Sequence, residues 1–237
     1  VEWSSPEGRT AFTLAARRSY VDVVTRIAAS IGGDTATFVP YDFYDLTARF
    51  DTDLGRGFWL ETSGLLERDD VRGTVTGLLR DTQGHWGNAL GRVALVQPLG
   101  ALRLRHTVGV SAFGGALGPL PGITGAAGEA APTHAATRNR VGVALFSTEL
   151  GPADAGGRTT WSTGLQLAVH HQDYLGPFPR PYPVISLPDS LLLRERLPVA
   201  SLWAERRWGL GRHAQLEVGL RADVHRPVAN AGPIGLA

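Results

Sequence analysis

Residues 44–54 alternate with a period of two. Tyr44, Leu46, Ala48, Phe50 and Leu54 are apolar, while Asp45, Thr47, Arg49, Asp51 and Asp53 are polar. Successive side chains of a strand point to opposite faces, so one face of this segment requires an apolar medium and the other requires water. One such strand fits a soluble sheet. Its repetition along a whole chain, with alternately short and long links, describes an antiparallel up-and-down transmembrane β-barrel.

Average composition does not separate these cases. Hydrophobic residues make up 43% of the 237, and mean hydropathy is −0.04. There is no apolar run of about 18 residues that would cross a bilayer as a helix. A barrel wall is half polar, so it has a water-soluble average. Cysteine is absent, which excludes disulfides and thiolate metal sites. All 23 basic residues are Arg, read as genome composition, and a net charge of +1 with evenly scattered Arg argues against a nucleic-acid partner. Without an initial Met or a signal peptide, the expectation is a mature product or an excised piece.

Nine strands are expected, over residues 9–17, 41–54, 58–69, 86–99, 102–113, 139–150, 159–174, 199–210 and 214–225. The alternation is also compatible with an extension of the first strand through 20–24. Most run 10 to 16 residues, where a bilayer crossing needs about 9–11 tilted residues and soluble strands average about 5–6. The faces agree. Leu102, Leu104, Val108, Val110 and Ala112 oppose Arg103, Arg105, Thr107 and Ser111, and Leu216, Val218, Leu220 and Ala222 oppose Glu217, Arg221 and Asp223. His106, Trp59 and Leu65 fall on the unexpected face. Glycine-bearing links at 55–57, 100–101 and 211–213 predict tight hairpins. Long connections are expected at 71–85, 114–138 and 175–198, with 19–40 an outer loop that accommodates a short helix. Tyr41, Tyr44, Trp59, Trp86, Trp161 and Trp208 are expected to form aromatic girdles.

Several stretches resemble TonB-dependent receptors, the 22-stranded outer-membrane importers. Ala16-Arg-Arg-Ser-Tyr20-Val-Asp-Val-Val24 is similar to a segment of their early barrel. Tyr41-Asp-Phe-Tyr-Asp-Leu-Thr-Ala-Arg-Phe50 with Phe58-Trp-Leu-Glu-Thr-Ser-Gly-Leu-Leu-Glu-Arg68 resembles the hairpin that follows, and Trp86-Gly-Asn88 the opening of the next strand. Ala200-Ser-Leu-Trp-Ala-Glu-Arg-Arg-Trp208 and Leu216-Glu-Val-Gly-Leu-Arg-Ala-Asp223 resemble a mid-barrel hairpin, with Arg206 where an acidic residue is commoner. The order and spacing hold across nearly the whole chain. The resemblance implies a bacterial outer-membrane location and uptake, driven through the TonB complex, of a scarce bulky ligand such as a siderophore, cobalamin or glycan. The family's plug domain and energy-coupling box do not appear. The expected domain is therefore a single barrel segment over 1–237, truncated at both ends, whose contact with the TonB complex belongs to a missing N-terminal region.

No nucleophile elbow, phosphate loop or HExxH motif is present. His170 and His171 are adjacent on a strand and point to opposite faces, so they do not chelate one ion together. The run Glu67-Arg-Asp-Asp70 is a carboxylate pair or a solvated strand end. No enzyme activity, cofactor or metal is expected. The expected partners are outer-membrane lipid and a small-molecule ligand. Candidate ligand contacts, in the lumen or the outer loops, are Arg49, Asp69, Asp70, Arg103, Arg105, Phe178, Arg180 and Tyr182; the last three lie in a Pro/aromatic/Arg stretch. The other lumen charges are read as cross-strand partners that hold the wall. The rival readings are a complete barrel of about ten strands acting as a passive pore or structural protein, a soluble sheet that binds a partner, and an outer-membrane hydrolase.

Overall fold

A computed structural model describes residues 1–32, 41–75, 79–119, 137–153, 159–177, 190–210, 214–226 and 228–229. It is one antiparallel sheet. The strands are β1 (Glu2–Ser4), β2 (Thr10–Arg18), β3 (Tyr41–Gly55), β4 (Phe58–Val75), β5 (Leu79–Leu99), β6 (Leu102–Pro119), β7 (Thr137–Pro152), β8 (Thr159–Pro177), β9 (Ser190–Gly209), β10 (Gln215–His225) and β11 (Val228–Ala229). Each strand from β1 to β10 pairs with the next in the chain, and β11 continues along β9. The nine expected strands are all present, in the expected order. The sheet is open, because β1 and β10 do not pair with each other.

Tight turns need backbone that few residues tolerate. Gly55 (φ 86), Arg56 (φ 55) and Gly57 (φ 80) join β3 to β4, and Gly100 (φ 64) opens the link from β5 to β6. These are left-handed positions, which glycine adopts without a steric penalty.

The opposite ends depart from expectation. Much of what reads as long connection is strand, with Val71↔Gly84 and Gly73↔Thr82 continuing the β4–β5 ladder, Leu117↔Thr137 the β6–β7 ladder, and Leu175↔Leu192 the β8–β9 ladder. The reason is physical. Backbone pairing persists where both faces meet water, while the apolar/polar alternation that betrays a strand lapses there. The compatible extension through 20–24 is not strand either. Ser19 accepts a hydrogen bond from Val21 N (3.2 Å) and starts helix α1, Val21–Gly32.

The register assigns every side chain to a face. Tyr44, Leu46, Leu66, Val93, Val108, Val110, Phe146, Leu167, Val169, Leu202 and Leu220 share one face and are exposed. Among the described residues the only buried apolar side chains are Ala94 and Ala168. A contiguous apolar face this large, with nothing over it, is foreign to a soluble monomer. Among the described residues no helix is long and apolar enough to cross a membrane. Tyr44, Trp161 and Trp208 lie on the apolar face as a girdle requires, but Tyr41, Trp59 and Trp86 lie on the polar face, because each stands an odd number of residues from its apolar neighbours.

Trp203 is held by a missing side chain. It is paired with Gly164, and a Cβ on that glycine would sit 2.7 Å from both the Trp203 ring and the Thr148 carbonyl. Gly164→Ala is expected to displace the indole and cost about 1–3 kcal/mol by overpacking. A lowered denaturant midpoint with a shifted Trp emission maximum checks this; an unchanged midpoint would count against the close approach.

Candidate functional site

The polar face is built as a charge network across strands. Asp51 of β3 lies directly opposite Glu61 of β4, and like charges so placed destabilise a sheet unless cations intervene. Three arginines do. Arg105 donates through both terminal nitrogens to Glu61, with Nη1 3.0 Å from Oε1 and Nη2 bonded to Oε2. Arg92 Nη2 donates to the same Oε2 at 3.1 Å. Arg49 Nε holds Asp51 at 2.6 Å. Glu61 therefore ties β4 to both β5 and β6, and Arg49 brings β3 into the same centre. The paired oxygens and nitrogens form charge-assisted bonds, the stronger class of hydrogen bond.

Above this centre, toward the ends joined by the longer connections, Tyr41 donates its hydroxyl to Asp69 Oδ1 (2.5 Å) and its ring stacks with Trp86 at 6.5 Å. Asn88 Nδ2 donates to Glu67 Oε2 at 2.7 Å. Below it, near the tight turns, a pocket of about 120 Å³ is lined by Arg103, Glu149, Ser162, Glu205 and Arg207. Ser162 Oγ donates to Glu205 (2.7 Å), and Arg207 donates to Glu217 at 2.9 and 2.8 Å. Arg221 reaches Ser201 Oγ at 2.9 Å and Asp223 at 2.8 Å.

Arg49 and Arg105 thus meet in one network, each engaged with a carboxylate. Arg103 faces the lower pocket and makes no ion pair among the described residues. Asp69 is buried on the polar face, whereas Asp70 is on the apolar face and pairs with Arg68 at 2.9 and 3.1 Å. The run 67–70 therefore supplies Glu67 and Asp69 to one face and Asp70 to the other. His170 and His171 diverge as expected. No group of three His, Cys, Asp or Glu side chains gathers to hold a metal among the described residues. Phe178, Arg180 and Tyr182 lie outside the described residues. Sequence reasoning missed Arg92 and Glu149 as members of these clusters. Arg92 reaches Glu61 on the neighbouring strand β4, and Glu149 is paired with Arg105 of β6, so only the register reveals them.

Solved structures that share this fold include a transporter and receptors. The copper transporter OprC aligns with 94% of this chain and 35% of its own, at 10% identity and a TM-score of 0.57. The ferric preacinetobactin receptor BauA from Acinetobacter baumannii aligns over 98% and 39%, at 12% identity and 0.58. FpvAI, solved with pyocin S2, aligns over 95% and 35%, at 10% identity and 0.59. These are TonB-dependent receptors with outer-membrane barrels, so the chain has the fold of a TonB-dependent receptor's barrel wall. It spans little more than a third of the length of each. No family model matches the sequence, and no curated protein does.

Two substitutions test the network. Tyr41→Phe leaves the buried Asp69 carboxylate without its donor and is expected to cost about 1–3 kcal/mol. In a double-mutant cycle, Glu61→Gln with Arg105→Gln is expected to show coupling of about 1 kcal/mol or more. Additive loss in equilibrium denaturation would mean that the Glu61–Arg105 pair contributes nothing to the wall.

Proposed function

We propose that this chain is part of the barrel of a TonB-dependent receptor in the bacterial outer membrane, a protein that imports a scarce, bulky small molecule into the periplasm. One observation carries the reading. The ten-strand meander has the fold of a segment of such barrels and, among the described residues, leaves two sheet edges without partners. Unpaired backbone groups in hydrocarbon cost several kcal/mol each, which supports a wall completed by further strands. A passive pore of only these strands would leave those edges in lipid.

The siderophore, cobalamin and glycan classes remain the expected ligands. OprC and BauA are named for copper and for a ferric siderophore. Arg103 is the first lumen side chain to assign to ligand, because it faces a polar pocket and makes no ion pair among the described residues. Arg49, Arg105 and Asp69 contribute through the lumen network, Asp70 at the outer rim, and Phe178, Arg180 and Tyr182 from the connection after β8. Coupling to the TonB complex belongs to a region outside this chain.

The test is uptake by the full-length protein in cells with and without a functional TonB complex, using ferric siderophores, copper and cobalamin as probes. Accumulation of one probe that disappears on loss of TonB is the expected result. Entry of small solutes regardless of TonB would replace this reading with a passive pore. The membrane orientation has its own test. Leu167→Arg, on the apolar face, is expected to cost about 2–4 kcal/mol when folding is titrated in phosphatidylcholine vesicles. The adjacent Gln166→Arg, on the polar face, is expected to cost little. Equal costs would contradict the assignment of faces.

A further inference from the structure

The apolar face does not remain apolar to its top. On β7, β8 and β9 it carries three successive rows, read across the ladder as Gly142–His171–Arg196, Arg140–Asp173–Arg194 and Arg138–Leu175–Leu192. Four exposed arginines thus point the same way as the lipid-facing Leu and Val below them. Asp173 is the only carboxylate among them, and it is occupied, receiving Arg194 Nε at 2.9 Å and lying 3.0 Å from His171 Nε2. Arg140 stands directly across from Asp173 but makes no ion pair among the described residues, and neither do Arg138 and Arg196. Three positive charges are therefore left in excess on this face.

Their height is defined by the strand. Arg140 is ten residues above Leu150 at the tight-turn end of β7, which is about the length of a bilayer crossing. The band lies at the polar boundary on the side of the long connections, which in an outer-membrane barrel is the outer leaflet. Immediately beneath it the same face forms a shallow depression of about 590 Å³. Its rows are Val110–Ala144–Val169–Pro198 and Val108–Phe146–Leu167–Ala200–Val224. Small side chains at Ala144 and Ala200 hollow the wall there. The upper row is one pleat repeat, about 7 Å, below the first Arg-bearing row.

We propose that this surface binds a phosphorylated, acylated lipid of the outer leaflet, with phosphate on the Arg138/Arg140/Arg194/Arg196 band and an acyl chain in the groove below. Two features select that occupant. Arginine at a polar boundary matches phosphate geometry, and the dry groove directly beneath matches the tail that such a headgroup carries into the membrane. A free anion would use the band but not the groove. The inference rests on the barrel reading, because only that reading places this face in lipid.

The experiment is native mass spectrometry of the full-length protein in non-ionic detergent, with bis-phosphorylated lipid A, phosphatidylcholine and inorganic phosphate as probes. The expected result is saturable retention of lipid A that inorganic phosphate does not displace. Combined Arg138→Gln, Arg140→Gln, Arg194→Gln and Arg196→Gln is expected to lower this retention at least tenfold and leave phosphatidylcholine unchanged. Ala144→Trp, which keeps every charge but fills the groove, is expected to lower it as well. Equal retention of the two lipids by the wild type, or retention of lipid A that survives both variants, would overturn the proposal. Displacement by inorganic phosphate, with no effect of Ala144→Trp, would do the same by reducing the band to an anion site. If the quadruple variant does not insert, the pairs Arg138→Gln/Arg140→Gln and Arg194→Gln/Arg196→Gln carry the same expectation, and Ala144→Trp decides alone should they fail too. Heat-modifiable migration of the wild type tests the barrel separately. Its absence would sink the proposed function, whereas a heat-modifiable barrel without lipid A would sink only this site.

Discussion

The backbone ladder between each strand and its successor is the interaction on which the rest of this molecule depends. From β3 to β9 the strands run 15 to 21 residues, and from β1 to β10 each pairing is between chain neighbours. No hydrophobic core organises the wall, since among the described residues Ala94 and Ala168 are the only buried apolar side chains. The ladder therefore carries the order that packing supplies elsewhere. In a medium without water, each backbone bond is also worth more, because its alternative is an unsatisfied group.

Given that ladder, the two faces solve different problems. The apolar face needs only to be compatible with hydrocarbon, so its residues vary in size and make shallow grooves where Ala or Gly occurs. The polar face concentrates charge, and neighbouring strands at fixed spacing force those charges to pair. Asp51 and Glu61 cannot face each other without Arg49, Arg92 and Arg105. The result is a stiff polar lining in which most cations already have partners, which makes the exceptions informative. Arg103 on the inside, and Arg138, Arg140 and Arg196 on the outside, are cations that make no ion pair among the described residues.

The sequence-level account succeeded where the signal is local. Strand identity within the apolar belt follows from alternation over a few residues, as at Leu102–Ala112, and the tight turns follow from glycines at Gly55, Gly57 and Gly100. It failed at the upper strand ends, where β4, β5, β8 and β9 continue with polar or irregular sequence and backbone pairing alone holds them. It also took Tyr41, Trp59 and Trp86 for lipid-facing girdle residues, because nearness to a strand end says nothing about which face a ring occupies. The segment 20–24 alternates acceptably as strand, yet Ser19 caps it into a helix.

Long, two-faced strands joined by hairpins follow from neighbouring residues alone, because period-two polarity and left-handed turn positions are local properties. Which residues meet depends on the assembled sheet. Arg105 finds Glu61 across 44 positions, and Arg140 and Arg196 come together on adjacent levels of β7 and β9. Those encounters depend on the register of several ladders in succession. A slip of one residue in any ladder would send every later side chain to the other face, so the sites exist only once the whole wall has paired.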